Sequence, residues 1–105
     1  MVNRSSTRYD ATYEKKGSMV YISHLDLMAL FRRAVRRSDL PFILTEGFTP
    51  RVKISMPKAL KVGVESGSEE MSFWLDGDRG GEELQKTLNK ELPVGIRILK
   101  INKRG

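Results

Sequence analysis

Residues 23–39 carry the pattern that most limits what this chain can become. At 100° per residue, Leu27, Met28, Leu30, Phe31, Ala34 and Val35 gather on one side of a helix. Arg32, Arg33, Arg36 and Arg37 gather on the other. Ser23 is a good N-cap, and Asp26 three residues on makes a capping-box-like start with Asp in place of Glu. Asp26 suits the positive end of the helix dipole, and the arginines suit the negative end. Pro41 stops the helix from running past Leu40. A one-sided apolar stripe of this kind is buried against another layer of structure.

The rest of the chain offers strands and one more helix. Residues 8–15 alternate, with Tyr9, Ala11 and Tyr13 on one side and Arg8, Asp10, Thr12 and Glu14 on the other. Gly17 and Ser18 break that strand, and residues 19–22 form a short apolar lead-in to the helix. Residues 42–45 are a short strand candidate, and 46–50 are a loop. Residues 52–56 alternate again, with Val52, Ile54 and Met56 opposite Lys53 and Ser55. Residues 62–65 and 70–75 are expected to pair across a loop of Ser66, Gly67 and Ser68. Leu84, Leu88 and Leu92 mark a second helix over 82–92, ended by Pro93 and Gly95. Residues 96–101 are the last strand. The order suggests an α+β fold on the ferredoxin-like β-α-β-β-α-β plan: an antiparallel sheet with two helices on one face. The middle is longer than that plan needs, so it holds either an extra hairpin or one strand with an excursion through 46–51. The expected organisation is a disordered tail over 1–7, one domain over 8–102, and a basic tail over 103–105.

Composition narrows the chemistry. A chain of 105 residues fits one domain and can bury a core without metal or disulfides. It has no cysteine, which removes thiol nucleophiles, thiolate metal sites, disulfides and iron–sulfur ligation by this chain. No apolar run nears the roughly 20 residues of a membrane helix, and the polar start has no signal core. A cytoplasmic protein that makes no membrane contact and holds no cofactor is the expectation. The formal charge is +6, from 19 Lys+Arg against 13 Asp+Glu. That excess points to an anionic partner, most simply RNA, or to a basic surface that only aids solubility.

Few residues suggest chemistry. His24 is the only histidine. With Asp26 or Glu46 it is a general acid–base candidate, and its plainer role is at the helix start. Ser23 reads as a cap rather than a nucleophile. The glycines lack the spacing of phosphate-binding loops. Residues 45–53 combine Phe48, Arg51, Lys53, Glu46, a glycine and a proline. There Phe48 would stack on a base while Arg51 and Lys53 meet phosphate, or Phe48 would tuck into the core. The helix arginines Arg32, Arg33, Arg36 and Arg37 form a second cationic face, placed behind the sheet by this fold. The open sheet face would carry Arg8, Thr12, Lys53, Ser55 and Trp74. A single aromatic there differs from the paired aromatics of the common RNA-binding sheet.

The run Tyr13-Glu14-Lys15-Lys16-Gly17-Ser18-Met19-Val20-Tyr21-Ile22-Ser23-His24-Leu25-Asp26-Leu27-Met28, then Glu46-Gly47-Phe48-Thr49-Pro50, then Lys53-Ile54-Ser55 and the stretch from Leu60 to Ser66, resembles the bacterial radical-SAM-linked proteins of unknown function. The resemblance spans about residues 8–101. It implies an accessory role in RNA metabolism or modification, beside a radical SAM protein. Members usually carry Asn and His where this chain has Thr49 and Arg51, so any proton transfer by that loop histidine is not expected here. Members are often longer, which implies a further C-terminal region. Three functions follow as expectations: an adaptor that binds RNA, a radical SAM enzyme or both; a small hydrolase or nuclease using His24; and a homodimer pairing through a sheet edge.

Overall fold

The computed structural model describes residues 6–59 and 61–104. Four strands and two helices follow one another as β1 (Ser6–Lys15), α1 (His24–Arg37), β2 (Ile54–Ser55), β3 (Ser66–Asp76), α2 (Gly81–Asn89) and β4 (Ile96–Arg104). The strands form one antiparallel sheet in the order β2-β3-β1-β4. This is the expected α+β architecture. Both helices pack on the sheet face that carries Tyr9, Ala11, Tyr13, Met71, Phe73, Leu75, Ile96 and Ile98. Tyr9 stacks on Phe73 at 5.4 Å between ring centroids, and Phe31 of α1 meets Tyr13 edge-on at 5.0 Å. Both geometries are favourable for aromatic pairs.

The helices begin and end for local reasons. Ser23 Oγ accepts the Asp26 N–H at 3.1 Å, as its N-cap position anticipates. Leu27, Phe31, Ala34 and Val35 are buried. Ser38 closes α1, and Asp39 follows in the left-handed region at φ 62°. Ahead of α1, the lead-in is a 3₁₀ turn over Gly17–Tyr21. Lys15, the last residue of β1, is buried beside it and donates to the carbonyls of Lys61, at 3.1 Å, and Val20, at 3.5 Å. α2 is shorter than its leucines suggest. Its last residue, Asn89, turns its side-chain amide onto the backbone of Ile98, donating to the carbonyl and accepting the N–H.

Three expectations are corrected, and one open alternative is resolved. Ser66, Gly67 and Ser68 do not form a hairpin loop; they open β3. Tyr13 lies opposite Glu69 and Lys15 opposite Ser66, so Gly67 and Ser68 face one residue of β1 in a bulge. Gly in a strand commonly marks such a bulge. The long middle, for which an extra hairpin and an excursion are both open from sequence, is an edge strand whose excursion folds back as a short hairpin, with Lys53 N–H donating to the Ile43 carbonyl and Thr45 N–H to that of Arg51. Phe42 bridges Leu75 and Ile54 pairs with Phe73, while the intervening limbs meet each other at Leu44 and Val52. The strand candidates at 42–45 and 52–56 therefore shrink to two bridges and the two residues of β2. Ser6 and Thr7 belong to β1, and Lys103 and Arg104 belong to β4, opposite Tyr9 and Arg8. A central strand ten residues long offers partners to both, which extends the sheet into the expected tails. Residues 1–5 and 105 lie outside the described residues.

A candidate anion-binding sheet face

Alternation along the strands sends Arg8 and Asp10 of β1, Ser72 and Trp74 of β3 and Arg104 of β4 to the face opposite the helices. Register sets Arg8 between Trp74 and Arg104, and Asp10 between Ser72 and Asn102. Lys53 comes from the residue just before β2. Its ammonium lies 4.7 Å from the Trp74 ring centroid, and the Arg8 guanidinium carbon lies at 5.6 Å. Both are within the range of cation–π attraction. The residues nominated from sequence as an open-face group, Lys53, Trp74 and Arg8, are thus in contact.

Asp10 organises this group. Its Oδ1 accepts Arg8 Nε at 2.9 Å and Ser72 Oγ at 2.7 Å, and its Oδ2 accepts Arg104 Nη1. Arg8 Nη2 also donates to Ser72 Oγ at 3.3 Å. Partial burial pushes the Asp10 carboxyl up, but the bonds from Ser72, Arg104 and Arg8 outweigh it and hold its pKa below the usual 3.8. One carboxylate therefore fixes two guanidinium groups. Sequence reasoning placed Asp10 on the correct strand face but missed its role, and it assigned Arg104 to a tail. The signal was the length of β1, which requires neighbours of matching length.

Next to Trp74, at the Ser6 end of β1, is a cleft of about 320 Å³ lined by Ser6, Thr7, Arg8, Trp74, Lys103 and Arg104. Asp78 pairs with Lys103 at 2.9 Å and raises the lysine's pKa. A larger open concavity of about 990 Å³ lies between α2 and the start of β4. It contains Lys86, Lys90 and Arg97 along with Glu14 and Glu82, and none of the expected site residues.

The other nominated residues are placed apart from this face. Arg33, Arg36 and Arg37 are exposed on the outer side of α1, behind the sheet, and Arg36 sits 5.4 Å from the Phe42 ring. Arg32 is half-buried, with its Nε unpartnered among the described residues. Phe48 is fully exposed on the excursion, so it is not a core residue. Arg51 and Thr45 brace the excursion through Thr45 N–H to Arg51 O at 2.7 Å and Arg51 N–H to Thr45 Oγ1 at 3.0 Å. The acid–base alternative gains no assembled geometry. His24 Nδ1 is buried without a hydrogen-bond partner among the described residues, and no bond or ion pair joins His24 to Asp26 or Glu46. Among the described residues no three of His, Asp and Glu are grouped as a metal would require.

Among the described residues, the acids pair with Arg8, Lys16, Lys103 and Arg104. Lys53 and the α1 arginines have no carboxylate within ion-pair distance there. The cations are therefore not neutralised one by one. No described helix is long and apolar enough to cross a membrane.

A family model described as "Uncharacterized protein conserved in bacteria" (DUF2344) matches residues 8–104. No curated protein and no solved structure matches the chain. The family description carries no link to radical SAM enzymes.

Proposed function

We propose that this chain, which belongs to the bacterial DUF2344 family, is an accessory or adaptor module that binds single-stranded RNA on its open sheet face. The observation that carries this reading is the contact of Lys53, Trp74 and Arg8, with Arg104 tied in through Asp10. An aromatic ring flanked by cations matches what unpaired RNA presents, bases with π faces on an anionic backbone. Lys53→Glu should weaken binding of a single-stranded oligonucleotide at least tenfold in fluorescence anisotropy. The Arg36→Glu/Arg37→Glu control on the far side of α1 should change it no more than about threefold, the expectation for charges that act only through the long-range field. Equal losses from both faces, or no binding at low salt, would overturn the reading.

A second reading concerns a protein partner. At the opposite end of the molecule Tyr21, Leu25, Val62 and Val64 are exposed, and the Tyr21 ring lies beside Gly63. Grouped apolar exposure of this kind favours a protein contact. The radical SAM enzyme implied by the sequence resemblance is the partner to test, by co-elution with the wild type and with Tyr21→Ser/Leu25→Ser. Co-elution that survives this double change would remove the patch from consideration.

A further inference from the structure

The cleft beside Trp74 has a charge that an ordinary backbone-binding groove does not need. Arg8 and Arg104 share a single carboxylate, Asp10. Lys103 is matched by Asp78. Lys53, across the Trp74 ring, has no acidic partner among the described residues. Arg8 and Arg104 set against Asp10 leave one positive charge in the cleft's lining, and Lys53, outside the lining but against the Trp74 ring, brings the excess about that ring to two. An internal phosphodiester brings one negative charge, whereas a phosphomonoester brings nearly two at neutral pH.

The geometry points to a subsite for a phosphomonoester, the terminal phosphate of an RNA strand, held by Arg104 and Arg8 with the adjoining base against the Arg8–Trp74 stack. Three features support it. The cleft's roughly 320 Å³ lies at the lower end of small-ligand pockets, about the size of a single nucleotide. Asp10 holds both guanidinium groups before any ligand arrives, so little is lost in ordering them. Arg8 is still about two-fifths exposed and Arg104 three-fifths, so donors remain for an incoming phosphate. Planar guanidinium forks suit phosphate oxygens, and a guanidinium plane accepts a stacked base. Asp10 is a positioning residue in this account, because it acts through the arginines.

This inference deepens the RNA reading, and its test separates the two. The full chain is titrated with one oligonucleotide in three forms: 5′-phosphorylated, 3′-phosphorylated and hydroxyl-ended. Uridine 5′-monophosphate and uridine are titrated in parallel. One of the phosphorylated strands should bind at least tenfold more tightly than the hydroxyl-ended strand, and the mononucleotide more tightly than the nucleoside. Arg104→Gln should abolish that preference. Arg104 is exposed at the end of β4, so the change leaves the core intact, and Arg104→Lys should restore part of the preference. Equal affinity for all three strands overturns the subsite and leaves RNA binding standing. Tight binding of the mononucleotide with no binding of any strand overturns RNA as the partner and leaves the subsite standing.

Discussion

Asp10 shows how one residue links stability to the site. Its carboxylate takes three hydrogen bonds on the open face, and their loss in Asp10→Asn should cost roughly 1 kcal/mol, because half-exposed ionic bonds are screened by water. The sign of the pH dependence follows from its lowered pKa. The stabilisation is complete above the unfolded value near 3.8 and is lost as pH falls through the folded value beneath it. Chemical denaturation at pH 7 and pH 2.5 should therefore show a gap between wild type and Asp10→Asn that is smaller at the second pH than at the first. Asp39 gives a second residue-scale case. It is the non-glycine residue at positive φ among the described residues, just past α1. Asp39→Gly removes that strain, and about 0.5–1 kcal/mol of added stability should appear as a raised Tm. Strand-face assignments were legible at this scale, because a period of two leaves Arg8 and Asp10 no other side. The Asp10–Arg104 bond was not legible, since its partners are 94 residues apart and meet only after β4 pairs with β1.

At the scale of elements, α2 and β4 behave as one unit. A Cβ at Gly81 would lie 2.4 Å from the Ile101 carbonyl oxygen, so the helix start rests directly on the strand. Helix propensity favours Ala over Gly by about 1 kcal/mol, but the backbone clash should win and make Gly81→Ala a net loss of roughly 1–3 kcal/mol in equilibrium unfolding. Asn89 and Gln85 satisfy the backbone of Ile98 where a further strand would otherwise bind. An edge covered in this way is protected from sheet-to-sheet pairing. It gives the homodimer expectation no support along this part of β4. Asn89→Ala should cost roughly 1–2 kcal/mol and increase self-association, read by sedimentation across a concentration series. α1 was legible almost to the residue, because its cap, stripe and stop all agree. The segment from 42 to 68 was not. Its pairings are single bridges and a bulge, and Gly67 fits a turn and a bulge equally well by local sequence.

The whole molecule separates its charges. The arginines of α1 and the Trp74 cluster occupy opposite sides, with the core between them. Net charge alone could not reveal this, because it carries no direction. The sequence showed that an anionic partner was worth seeking, and the strand register decided which cations stand together. The excursion with exposed Phe48 adds a third surface, and its two limbs reach Trp74 through the Lys53 ammonium and the bond from Ile43 N–H to the Trp74 carbonyl. The open sheet face is where the aromatic ring and the cations stand together. Trp74 is the only tryptophan in the chain, so its fluorescence reports on that face alone. The direct measurement is a titration of the full chain with single-stranded RNA over a series of salt concentrations. The expected result is saturable quenching of Trp74, with log K falling by about 2 per decade of salt if some three phosphates are met. Unchanged Trp74 emission at saturating RNA, or an affinity indifferent to salt, would contradict the account.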